Sequence, residues 1–88
     1  MKISVGDRVR LLTGRYKCRE KLKNDAGEYF YHYFSGWFYM RVGVITEAES
    51  GFYCMKPDNA DYNFEICDFQ GSDIHSILER EDKKHDKT

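Results

Sequence analysis

The segment "ISVGDRVRLL" alternates, with Ile3, Val5, Val9 and Leu11 on one side and Arg8 and Arg10 on the other. A period of two predicts a half-buried strand, with Gly6-Asp7 as its turn or bulge and Thr13-Gly14 as its end. "RYKCREKLK" alternates more tightly. Arg15, Lys17, Arg19, Lys21 and Lys23 hold one parity, and Tyr16, Cys18, Glu20 and Leu22 the other. A helix would scatter those cations around its circumference, whereas a strand puts all five on one face. Lysine and glutamate are poor strand formers, so a short helix is the competing prediction.

"NDAG" is a turn signal, and the aromatic run "EYFYHYFSGWFYM" follows it. Ser35-Gly36 is expected to split that run, with residues 37–46 as the next strand. Beyond them, Glu49-Ser50-Gly51 turns into "FYCMK", "PDNAD" turns again, and "YNFEICDF" returns. "GSDIHSIL" predicts a short helical turn, N-capped by Asp73 and plugged by Ile74, Ile77 and Leu78. The charged segment 79–88 has nothing to bury and is expected to be disordered.

Pairing arithmetic then assigns faces. A two-residue turn at Ser35-Gly36 sets Phe34 opposite Trp37 and Tyr31 opposite Met40. A four-residue turn at 24–27 sets Lys23 opposite Glu28 and Cys18 opposite Tyr33. On these registers Tyr16, Cys18, Leu22, Tyr29, Tyr31, Tyr33, Phe38, Met40, Val42 and Val44 form the core. The opposite face collects Lys17, Arg19, Lys21 and Lys23 beside Phe30, His32, Phe34, Trp37, Tyr39 and Arg41. A one-residue slip would exchange the two faces.

Composition narrows the class. A chain of 88 residues with 41% hydrophobic and 16% aromatic residues is one small ordered domain, its core built from aromatics as much as aliphatics. No apolar run approaches ~20 residues, so no membrane span is expected. "MKISVGD" lacks the apolar region of a signal peptide, so a cytoplasmic setting is expected. Cys18, Cys54 and Cys67 lack CxxC spacing and are expected to be packed, reduced thiols. The alternatives are a zinc site with His32 or His75 and a Cys54–Cys67 disulfide across a hairpin.

The net charge of −1 hides an asymmetry. Residues 1–23 carry eight cations against Asp7 and Glu20, a local +6. Residues 24–73 carry nine carboxylates against Arg41 and Lys56, a local −7. Such a split produces either one basic and one acidic face or mutual pairing of the two halves.

No constellation spells catalysis. The histidines have no partner set for a triad, the acids come singly, and the glycines mark turns, so no enzyme, cofactor or metal is expected. "VGDRVRLL", "RVGVITEAESGFYCMK" and "FQGSDIHSIL" resemble an SH3-like small barrel. The Gly6-Asp7-x-Val9 opening and the Gly43-Val44-Ile45 strand are loosely similar to KOW-type domains. The resemblance covers residues 3–12 and 41–78, and residues 13–40 depart from it as an enlarged first loop. It implies an all-β, single small barrel of about five to six antiparallel strands with a short C-terminal helical turn. The barrel would span residues 1–78, and proteins of this type often bind RNA, DNA or their protein partners.

Two functions fit. In the first, Lys17, Arg19, Lys21, Lys23 and Arg41 take the phosphates of single-stranded nucleic acid. Bases then stack on Phe30, Phe34, Trp37 and Tyr39, with a His32 contact that strengthens on protonation. In the second, the same aromatics, or the acidic Asp58, Asp61, Glu65 and Asp68, anchor a protein partner. The chain itself is expected to be a monomer or a homodimer, with an exposed edge strand favouring the latter.

Overall fold

The computed structural model describes residues 2–59 and 63–81. Asp61 and the segment from residue 82 lie outside the described residues. The chain forms seven strands: β1 (Arg8–Leu11), β2 (Gly14–Lys23), β3 (Tyr29–Phe38), β4 (Val42–Glu49), β5 (Phe52–Pro57), β6 (Phe64–Gln70) and β7 (Ile74–Glu79). They make one antiparallel sheet in the order β3-β2-β6-β5-β4-β1-β7, which does not close, so β3 and β7 are its edges. Among the described residues no helix is long and apolar enough to cross a membrane.

Alternation builds the core as the sequence predicts at the N-terminus: Ile3, Val9 and Leu11 are buried, although Val5 is exposed. Cys18, Ile45, Met55, Ile66 and Phe69 join them in one cluster, so the sheet wraps a single interior. Just after β1, the Leu12 carbonyl accepts the Tyr16 hydroxyl at 2.5 Å. The Leu12 N–H donates to the Asp73 carbonyl at 2.8 Å. At Gly43 the β5 backbone comes so close that a Cβ would stand 2.4 Å from the Lys56 carbonyl oxygen. Gly43 and Ile45 are the buried residues of their strand, and the expected core members Val42 and Val44 are only half-buried.

Ser50 and Gly51, at φ 53° and 84°, make the tight turn between β4 and β5. Both central residues at positive φ match the twist of the flanking strands, as the turn signal anticipated.

The structure corrects the C-terminal segment. Only Gly71–Asp73 is a 3-10 turn, and Ile74–Glu79 is a strand paired with β1. Ile74 and Ile77 are spaced for a helix, but the open flank of β1 offers hydrogen bonds that a lone turn could not make. Asp73 does not occupy the N-cap. Its carboxylate accepts the Gln70 N–H at 2.9 Å from three residues downstream.

The aromatic segment is corrected too. It is one unbroken strand, with Tyr16 opposite Gly36 and Lys17 opposite Ser35. Gly36 does not turn. A Cβ there would meet the Phe38 ring at 2.9 Å, so the glycine makes room for an aromatic side chain. With β7 added, the count is seven strands and not five to six.

Candidate binding face

The connection between β2 and β3 decides which side chains share a face. Asn24 accepts the Ala26 and Glu28 N–H groups on its side-chain oxygen, both at 2.9 Å. Its own backbone N–H donates to the Glu28 carbonyl at 2.9 Å, and Gly27 turns at φ 83°. Asn24 and Glu28 therefore belong to the ladder, and the loop is the three residues between them, an odd number closed by a left-handed glycine. The turn signal at 24–27 predicts a loop of four residues. That difference of one flips the parity of all of β3.

The observed register places Lys23 opposite Tyr29, Lys21 opposite Tyr31, Arg19 opposite Tyr33 and Arg15 opposite Trp37. The tyrosines expected in the core thus stand outside, among the cations. Lys21 and Lys23 lie 4.8 and 5.3 Å from the Tyr29 ring centroid, Arg19 4.6 Å from Tyr31 and Lys17 5.5 Å from Tyr33.

Phe30, His32 and Phe34 point to the other side. Phe34 packs edge-on against Phe64 at 5.5 Å, and His32 stacks on Phe34 at 5.8 Å. Trp37 stays on the cationic face, while Tyr39 sits exposed in the bend after β3. Arg41 lies 5.8 Å from the ring of buried Phe38, away from the face. Of the expected aromatic contacts, therefore, only Trp37 shares the cationic face. Tyr29, Tyr31 and Tyr33 replace Phe30, His32 and Phe34, and Arg15 joins the cations. The only sequence signal for this was the Asn24 and Gly27 pair, which specifies a three-residue loop.

Beyond Glu20, β2 no longer pairs with β6, so Lys21–Lys23 and the facing part of β3 project as a two-stranded ribbon. Two cations near its root are already engaged. Lys17 meets Asp68 at 3.1 Å, which raises the lysine's pKa, chiefly through that hydrogen bond. Arg19 is the more deeply held: it bonds Glu65 at 2.7 Å and Glu47 at 3.5 Å. Burial is the largest single influence and opposes its charge, yet the Glu65 hydrogen bond and the attraction of the surrounding Glu65, Cys67 and Cys54 together outweigh it and raise the pKa. Arg8 pairs with Asp58 and Glu79. The basic first segment and acidic second segment thus pair in part, leaving Arg15, Lys21 and Lys23 without a carboxylate in ion-pair range among the described residues. At the ribbon's root a cleft of about 320 Å³ is lined by Arg19, Lys21, Tyr31, Lys56, Phe64 and Glu65.

All three cysteines are free and buried. Cys67 hydrogen-bonds to Cys54, whose thiol donates to Glu47 at 3.4 Å. Burial raises both thiols and pushes Cys18 up to about 11. At pH 8 roughly one Cys18 in a thousand is then thiolate, the reactive form. Cys18 is expected to resist iodoacetamide in the native protein and to react on denaturation, as followed by mass spectrometry. Rapid native labelling at Cys18 would contradict its place in the core. His32 and His75 do not join the cysteines: among the described residues no three His, Cys, Asp or Glu side chains converge as a metal site.

The chain matches no protein-family model, no curated protein and no solved structure.

Proposed function

We infer that the chain is a non-catalytic binding module that holds single-stranded nucleic acid along the outer face of the β2–β3 ribbon. The observation that carries this reading is the shared exposure of Tyr29, Tyr31, Tyr33 and Trp37 with Arg15, Lys21 and Lys23 on one face. In the free protein the cations lie over the rings, an exposed contact worth about 0.5–1 kcal/mol. A base stacked on a ring is worth roughly 1–3 kcal/mol. The base therefore displaces the ammonium group, which is left beside the sugar-phosphate backbone to pair with it. The cleft at the ribbon's root, with Tyr31 on its wall, is at the small end of ligand pockets and suits one base. The sheet wrapped on one core also supports an SH3-like, loosely KOW-like scaffold whose enlarged first loop is this ribbon.

Fluorescence anisotropy with labelled single-stranded and duplex oligonucleotides at two salt concentrations tests the reading. Binding should favour single strands. Replacing both Lys21 and Lys23 with alanine should flatten the salt slope by roughly 1.4, two phosphate contacts' worth. Trp37→Ala and Tyr31→Ala should each weaken binding by about 1–3 kcal/mol while leaving the fold intact, since both rings are exposed. Phe30→Ala, on the far side of the ribbon, should leave affinity unchanged. No binding at low salt eliminates this function. The neutralisation of Lys17 by Asp68 and Arg19 by Glu65 favours the second reading, a protein partner anchored on Trp37 and the tyrosines. Such an interface would show little salt dependence.

A further inference from the structure

The two edges of the sheet are built differently. β7 is short, and its register against β1 is broken twice, between Arg8 and Val9 and between Arg10 and Leu11. Bulges of this kind twist an edge away from further pairing. β3 has no such guard. Its ten residues pair with β2 in unbroken register, and "YFYHYFSGWF" contains no proline, lysine, arginine or carboxylate. On its outer flank every second N–H and C=O is left without a strand partner, because β3 is last in the order.

We propose that β3 pairs antiparallel with β3 of a second copy of this chain. The edge itself selects that occupant. A strand without fixed charge meets its own copy with no repulsion, whereas a lysine-guarded edge could not. Pairing β3 with β7 of another copy would be head-to-tail, so a pair of copies would still leave one β3 and one β7 edge open, and the bulges of β7 oppose it. Pairing β3 with itself is two-fold symmetric and removes both open edges in one step. The flanking rings supply the apolar area: Tyr29, Phe30, Tyr31 and Tyr33 are 62%, 46%, 42% and 54% exposed. At roughly 150–250 Å² per aromatic side chain, these four offer on the order of 400 Å² per copy. A standard interface needs about 800 Å² per partner, and the paired backbone, His32 and Trp37 add to the rings. A two-fold axis perpendicular to the sheet keeps like faces together, so the tyrosine–lysine faces of the two copies become one continuous surface. The dimer does not depend on what that surface binds.

Sedimentation velocity across a concentration series, with hydrogen exchange on the same samples, tests the proposal. The 88-residue chain should sediment as a dimer at high micromolar concentration and dissociate on dilution. Alternate β3 amides should gain protection in step with dimer formation. The double substitution Tyr31→Lys with Tyr33→Lys places like charges across the new seam and should weaken association by about tenfold or more. Thermal unfolding checks that this variant folds; if it does not, the exchange of β3 amides in the unaltered chain decides. A monomer at every concentration overturns the proposal and leaves the edge for a strand of another protein. A dimer whose outward β3 amides exchange as freely as in the monomer overturns it equally, because the copies would then meet elsewhere.

Discussion

Asp7→Ala should destabilise the protein by about 3–5 kcal/mol, the range for removing one partner of a buried charged network. Asp7 is completely buried, at 0% exposure. One carboxylate oxygen accepts the Ser4 N–H at 2.9 Å, and the other accepts the Glu81 N–H at 2.9 Å. Arg80 stands 3.9 Å away, and its guanidinium also donates to the Lys2 carbonyl at 2.7 Å. A single side chain thus ties the turn before β1 to the segment after β7, distant in sequence but adjacent in space. Backbone bonds extend the knot to β4. The Gly6 N–H donates to the Ile45 carbonyl at 2.9 Å, and the Ile45 N–H to the Asp7 carbonyl at 2.8 Å. Alanine removes the acceptor of two part-buried N–H groups, those of Ser4 and Glu81, and leaves a cavity of carboxylate size. Asp7→Asn keeps one acceptor oxygen and should recover part of the loss. Urea denaturation of the three proteins measures this, with the midpoint shifting and the slope unchanged. An alanine variant within about 1 kcal/mol of the parent would show that the carboxylate is not the staple described.

Gly43→Ala should be comparably severe. The added methyl would lie 2.4 Å from the Lys56 carbonyl oxygen and 2.8 Å from Met55 Cε. The methionine tip can swing aside, but the carbonyl belongs to the β5 backbone, which pairs with Gly43 through Pro57. Relief therefore requires β4 and β5 to part where Ile45 and Met55 meet in the core. Overpacking costs typically about 1–3 kcal/mol, and a clash against backbone belongs at or above the top of that range. Gly71→Ala is the control: no atom lies within 4 Å of its added Cβ, so stability should change little. Equal melting temperatures for Gly43→Ala and Gly71→Ala would overturn the close approach of β5 to Gly43.

Much of this architecture was legible in local chemistry. The alternation of Val9 with Arg8 and Arg10 marked β1, the uniform parity of Arg15 through Lys23 marked β2, and Ser50-Gly51 marked the turn into β5. These signals work because each depends on residues two to four positions apart, where backbone geometry alone fixes the relation. The candidate face was half legible. Its β2 cations share one side as expected, since they lie on one strand, but Arg41, expected among them, lies beside Phe38 instead.

The aromatic partners required the register between two strands, and register turns on loop length. Asn24 in the ladder instead of the loop exchanged Phe30, His32 and Phe34 for Tyr29, Tyr31 and Tyr33. No composition argument could choose between these sets, because both alternate perfectly and both are aromatic. The same limit explains "IHSIL". Its apolar spacing suits a helical turn, and only the open flank of β1, supplied by residues more than sixty positions away, makes it a strand.

The sequence by itself determined an all-β chain, the parity of its cations and the opposition of a basic first segment to an acidic second one. The tertiary structure decided which rings join the cations, which cations are neutralised by Glu65 and Asp68, and which edge is left open. Parity is a property of one strand's backbone. Pairing is a property of two, and a single loop residue set it for the whole ribbon.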